Sequence, residues 1–236
     1  MQWRGVQTSR GRSFRAPSAF ISPCLPTVAV RPPIGSLWVH EIKHDGYRLQ
    51  IHIRDGRVRL FTRTGVDWSD RYPWIIEDAA RLPVKQAIID AECCCADEDG
   101  VSDFDALHSR VNDHSAFAYA FDLLMVDDAD IRRLPLADRR VRLAKLLRKA
   151  KPGVRWSEHI AVDGATVFRH ACKLGFEGIV SKRVDAPYRS GRGRNWIKVK
   201  NRKAPAFLRV QEGMYSTMRS PTSHAAGNLR RPAPSQ

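Results

Sequence analysis

The sequence predicts an α+β domain. Three features carry that expectation: short apolar runs of strand type joined by tight turns, capped helical segments interleaved with them, and a hydrophobic content of 43% over 236 residues, enough for one sizeable core. Regular structure is expected from Leu37 onward. Residues 38–43, 47–54 and 58–62 are β-type runs, and Asp55-Gly56 between the last two is a strong hairpin turn. Residues 86–95 form a further apolar run closed by the acidic turn at 97–100, and 116–124 form another. Helices are expected at 74–82, at 103–110 with Ser102 as cap, and at 136–149 with Pro135 in the first turn. A fourth is expected at 165–174, between an Asp163 cap and a terminating Gly175. Residues 177–182 and 195–200 return to strand.

Charge divides the chain into three parts. Residues 1–34 contain five Arg and no acid, and residues 181–236 contain thirteen Lys/Arg against Asp185 and Glu212. Of the formal net charge of +15, the ends thus hold +5 and +11, which leaves −1 for residues 35–180. The expected organisation is an irregular basic lead-in over 1–34, where five prolines oppose helix and central strand, then a core domain over 35–200 and a basic, flexible tail over 201–236. Flanking basic segments suit a polyanionic partner, and solvated tails explain the same charge equally well. Five cysteines, with Cys93, Cys94 and Cys95 consecutive, form neither an even disulfide framework nor CxxC spacing, so reduced thiols are expected. The absence of a secretory apolar segment or membrane-length run predicts a soluble intracellular protein with no membrane partner.

Chemistry concentrates at Glu41-Ile42-Lys43-His44-Asp45-Gly46-Tyr47-Arg48. An apolar strand runs into a lysine, and a glycine three residues later permits a tight turn with close backbone approach. A lysine amine is nucleophilic only when unprotonated, which desolvation or a nearby cation favours by lowering its pKa. Strand-end placement offers that partial burial. Arg48 has the donor fork to bind a phosphate or ribose. An ordinary hairpin with solvated charges is the competing reading of these eight residues alone.

Lys43-x-Asp45-Gly46-x-Arg48 resembles the nucleotidyl-acceptor motif of the covalent nucleotidyltransferases, the DNA ligases, RNA ligases and mRNA-capping enzymes. Further segments resemble that superfamily's motifs in order: Thr62-Arg63-Thr64-Gly65, Asp90-Ala91-Glu92, Phe121-Asp122-Leu123-Leu124, Glu177-Gly178-Ile179-Val180-Ser181-Lys182 and Trp196-Ile197-Lys198-Val199-Lys200. The wording around them is similar to the ATP-dependent DNA ligases of bacterial end-joining systems. The resemblance implies two packed antiparallel sheets with flanking helices, an ATP-grasp-like nucleotidyltransferase core over 35–200, with ATP in the groove between the sheets. It implies Lys43 as the residue that takes AMP. It also implies an ATP site of Glu41, Arg48, Arg63, Glu92, Phe121, Lys182, Lys198 and Lys200, and Mg²⁺ (or Mn²⁺) on Glu92 and Glu177. The implied partners are nicked or broken duplex DNA, with an end-joining polymerase or end-binding protein, for a monomer in the bacterial cytoplasm at the nucleoid.

The residue types agree with these roles. Transfer of AMP to lysine spreads charge over phosphate oxygens while pyrophosphate leaves, so cations must surround the centre. Lys182, Lys198 and Lys200 supply them, the last two on one strand face. Glu92 and Glu177 offer hard oxygen donors, and Phe121 a flat apolar face for adenine. Taken singly, Phe121 reads as a core aromatic, Lys198 and Lys200 as a solvated face and Glu92 as a surface acid. Order and spacing decide for Lys43, Glu177 and Lys198, whereas Asp45 stays open between chemistry and turn formation. His40, His44 and His52 lack a fitting Cys partner and do not suggest zinc.

Two departures from the motif pattern bear on function. Ala91 stands where most of these enzymes have Gly, which would strain a backbone at positive φ. Nothing after Lys200 resembles the OB-fold domain of full ligases, so self-adenylylation is expected and complete nick sealing is in doubt. An RNA ligase or capping-type enzyme, and a non-catalytic DNA-binding remnant, are the alternatives.

Overall fold

The computed structural model describes residues 20–98, 100–110, 113–205 and 207–209. The expected tail therefore falls outside the described residues from 210 onward, and the lead-in does so over 1–19. Ten strands and four α-helices are found among the described residues. One sheet has the order β1 (Cys24–Val28), β10 (Gly191–Lys200), β9 (Gly178–Arg183), β2 (Trp38–Ile42). The larger sheet runs β4 (Arg57–Thr62), β3 (Tyr47–Arg54), β5 (Gln86–Cys94), β6 (Phe117–Val126), β7 (Ala129–Asp130), with β8 (Val154–Trp156) also against β6. Pairing is antiparallel except for β1 with β10 and β6 with β8.

Alternation along β3 sets the layering. Leu49, Ile51 and Ile53 enter a core under α1 (Pro73–Ala80) and α3 (Leu136–Leu147), together with Tyr72, Ile75, Leu143 and Leu146. Arg48, Gln50, His52 and Arg54 take the opposite face. There Ile88, Phe121, Leu124 and Met125 of the larger sheet meet Cys24, Tyr188 and Trp196, forming a smaller core between the sheets. A third cluster, Val167, Ala171, Ile179 and Val199, packs α4 (Gly164–Lys173) onto the outside of the smaller sheet. A buried ion pair fastens α3 to β6: the Arg139 guanidinium donates to both oxygens of Asp122 at 2.8 Å and to the carbonyl oxygens of Leu134 (2.6 Å) and Ala186 (3.1 Å).

Local expectations hold for seven strands and four helices, with corrections at their margins. The lead-in is not irregular throughout, because β1 lies inside it. Its Pro26 is tolerated because β1 is an edge strand, and its register with β10 breaks at Pro26/Thr27. α2 (Phe104–His108) is capped by Asp103, which accepts from Ala106 N–H at 2.9 Å; Ser102 bonds His44 instead. Pro135 is the capping residue of α3 rather than part of its first turn. Asp163 caps α4, and Gly175 beyond its end takes φ +80°. Ala91 sits inside β5 opposite Leu49 and Ala120; it is not among the described non-glycine residues with positive φ, so the feared strain does not arise.

Candidate active site

Between the sheets lies a cavity of about 650 Å³. Lys43 follows β2 into the lining of this cavity, fixed by its N–H donating to Gly178 O of β9 (2.9 Å). Two glycines permit this approach. A Cβ on Gly46 would run into the Cys93 carbonyl, and one on Gly178, at φ +141°, into that of Val199. Lys43 Nζ donates to Glu177 Oε2, and Lys200 Nζ stands 3.4 Å from Glu177 Oε1. Burial is the largest influence on the Lys43 ammonium and lowers its pKa, but Glu177, Glu92 and Asp45 together outweigh it and hold the pKa above its ordinary value. The expectation of an amine made neutral by partial burial is therefore wrong for this state, because carboxylates surround it.

The cavity wall contains Glu41, Arg48, Arg63, Glu92, Phe121, Lys182 and Lys198. Lys200 belongs to the same strand face as Lys198 but turns to Glu177. Glu41 is buried and takes two cations, Arg140 Nη1 and Lys182 Nζ, each at 2.6 Å. The Lys182 amine also lies 4.1 Å from the Phe121 ring centroid and 4.3 Å from that of Trp196. Its pKa falls through burial, with Glu41 opposing and Arg140 reinforcing. Arg48 grips Asp90 (2.5 and 2.7 Å) and stands 4.5 Å from the Phe121 centroid. Asp90 accepts in addition from Tyr188 Oη at 2.7 Å. Burial raises the Glu92 carboxyl to about 7, with Glu177 and Asp90 adding to the rise and Lys43 and Arg48 opposing it. The Lys198 amine is lowered by burial and by the cations of Lys43 and Lys200. Arg63 is exposed on the turn after β4.

Asp45 is paired with Arg209 and lines a neighbouring pocket together with Lys43 and Glu177. The three histidines have separate partners: His40 meets Ser181 Oγ (2.8 Å), His44 meets Ser102 Oγ (3.1 Å) and His52 meets Gln50 Oε1 (3.2 Å). His44 also stacks on Tyr119 of the cavity wall, centroids 4.0 Å apart. Sequence reasoning missed Arg140, which bonds Glu41, Phe121 O (3.1 Å) and Ser157 O (2.6 Å). A signal was present. Arg139 and Arg140 occupy the i+3 and i+4 places of the stripe begun by Leu136 and continued by Leu143, where a helix faces its core.

A strand-end lysine at a cation-rich, aromatic-walled cavity between two sheets defines the class, a nucleotidyltransferase domain. The particular family follows from comparison: the model of the ATP dependent DNA ligase domain matches residues 28–200, and the chain belongs to that family. It is 37% identical over 195 residues to the multifunctional non-homologous end joining protein LigD of Pseudomonas aeruginosa, covering 81% of this chain and 23% of that protein. To a probable DNA ligase of Streptomyces coelicolor it is 35% identical over 201 residues, covering 75% of this chain and 39% of that one. The chain thus spans between 23% and 39% of the length of these relatives. A solved mycobacterial DNA ligase D complexed with ATP and MES matches with a TM-score of 0.68 at 33% identity, over 76% of this chain and 60% of that one. The domain is accordingly a nucleotidyltransferase domain of the ATP-dependent DNA ligase family, and the relatives it resembles are DNA-joining proteins rather than RNA ligases or capping-type enzymes. No helix among the described residues is long and apolar enough to cross a membrane.

Proposed function

We propose that this domain takes AMP from ATP onto Lys43 Nζ and holds it for transfer to the 5′ end of a nicked or broken DNA duplex. Its setting is the bacterial nucleoid, beside an end-joining polymerase or end-binding protein. The observation that carries this reading is the position of Lys43, in the cavity lining, bonded to Glu177, with Arg63, Lys182 and Lys198 in the same lining. In-line attack forms the N–P bond as the bond from the α-phosphorus to pyrophosphate breaks. The ammonium must first lose its proton, and Glu177 Oε2, already its acceptor, is the group placed to take it. Lys198 and Arg63 lie along the wall where phosphate charge develops. A purine stacking on Phe121 displaces Lys182 or Arg48 from that ring. If Lys182 moves, it is freed for phosphate and Glu41 Oε2 opens to the adenine amine.

A divalent cation fits beside these groups. Glu92 is a half-buried carboxyl whose pKa is raised to about 7, a rise that a cation relieves. The described residues contain no cluster of three or more metal-ligating side chains. The residues proposed to hold Mg²⁺ (or Mn²⁺) are Glu92 and Glu177, with water and phosphate oxygens as the remaining ligands. When bound, the ion neutralises triphosphate charge and aligns the leaving group. The test is intact mass spectrometry after incubation with ATP and Mg²⁺. One acid-labile AMP is expected, and Lys43→Ala should abolish it; an unmodified wild-type mass, or an adduct in the variant, refutes the reading.

A further inference from the structure

The face of β3 that contributes Arg48 to the cavity continues past it. Gln50, His52 and Arg54 share that face by strand alternation, and their cross-strand partners on β4 are Phe61, Arg59 and Arg57. The outer end of the hairpin therefore sets Arg54 directly opposite Arg57, both exposed, across the Asp55-Gly56 turn. Like charges directly opposite destabilise a strand pair. One step inward, Arg59 is neutralised by Asp67, at 2.9 and 2.6 Å, and its guanidinium stands 4.9 Å from the Phe61 centroid. These residues rim a cavity of about 360 Å³ floored by Ile88 and Met125, the residues that also belong to the core between the sheets. Asp55 is the one acid in that lining, so with Arg59 paired to Asp67 the tip keeps a positive excess of one, invisible in a body whose net charge is −1.

From this arrangement we infer that the tip of the β3–β4 hairpin is a docking surface for the phosphodiester backbone of DNA, with Arg54 and Arg57 each contacting a phosphate. The inference rests on the DNA-joining reading above. Phosphate charge at the two arginines offsets the repulsion that the hairpin otherwise carries. The geometry favours DNA over an acidic protein segment because the patch and the cavity share one sheet face. Six residues of strand separate Arg48 from Arg54, about 20 Å at 3.4 Å per residue. That equals about six base-pair steps, so a duplex whose end lies at the cavity reaches the hairpin with its flank.

The experiment measures binding of a labelled nicked duplex to the full chain by fluorescence anisotropy across a salt series. Wild type is compared with Arg54→Gln/Arg57→Gln and with a charge-matched control, Arg142→Gln/Lys145→Gln. The control residues are exposed on α3, which covers the opposite face of the larger sheet. Loss of two phosphate contacts should reduce the log–log salt slope by about two units, so that binding loses about tenfold less affinity between roughly 50 and 200 mM salt. The control slope should stay at the wild-type value. A wild-type slope in the hairpin variant, as expected if the patch serves an acidic protein instead, overturns the inference, and so does an equal change in the control. Intact mass after ATP treatment is read in parallel. Absence of the AMP adduct from every protein sinks the proposed function while leaving the slope comparison to judge the patch.

Discussion

Replacing Arg140 by methionine tests the buried network that joins the layers. The guanidinium spans Glu41 of β2 at 2.6 Å, Phe121 O of β6 at 3.1 Å and Ser157 O at 2.6 Å, all from helix α3. Its ring contact is Trp156, 4.2 Å from centroid to Cζ. Methionine keeps much of the aliphatic volume and removes every donor. Glu41 then has Lys182 alone, and two buried carbonyls lose a partner. Removing one member of a buried pair costs about 3–5 kcal/mol, a large share of the roughly 5–15 kcal/mol that stabilises an ordinary domain. For a chain of this size about 2–4 °C accompanies each kcal/mol, so the melting temperature should fall by about 6–20 °C. Urea unfolding followed by circular dichroism measures the free energy, and a cycle with Glu41→Gln separates the pair from its surroundings. The double variant should be less destabilised than the sum of the singles by about 0.5–3 kcal/mol. A loss below about 1 kcal/mol for Arg140→Met, or additive singles, would show that the network does not hold the layers together.

Three further outcomes are expected. Glu177→Gln removes the carboxylate that raises the Lys43 pKa most and leaves Glu92 and Asp45 to oppose burial, so the pKa should fall below the wild-type value in an NMR titration of the side-chain amine; an unchanged or higher value contradicts the assigned cause. Gly46→Ala should cost about 1–3 kcal/mol in urea unfolding, because the added methyl meets backbone at Cys93 rather than a side chain that can turn away; a neutral result rejects the close approach. His44 and His52 are held near about 4 by burial, against 6.5 when unfolded. Between those pH values the unfolded chain binds more protons, so their contribution is full above about 6.5 and is lost as pH falls toward about 4. His44→Gln should flatten that part of the stability profile relative to wild type, and a curve parallel to wild type argues against a buried neutral imidazole.

Much of this protein is written locally. Alternation over residues 47–54 and the Asp55-Gly56 turn specify the β3–β4 hairpin, because side-chain period and turn chemistry act over a few residues. The caps at Asp163 and Gly175 are equally local, and the motif spacing from Lys43 to Lys200 named the family and most cavity residues. Elements decided by partners were not legible in this way. β1 exists because β10 offers an edge to a proline-bearing segment, and β7 and β8 are too short to show a period.

The electrostatic state of the site belongs wholly to the tertiary structure. Glu41 is neutralised by Arg140, 99 positions away, and by Lys182, 141 away, and Lys43 meets Glu177 across 134. The sequence determined that a lysine would end an apolar strand before Asp-Gly. Whether its amine rests charged or neutral depends on burial opposed by carboxylates from distant strands, a balance that exists only once the two sheets have closed on each other.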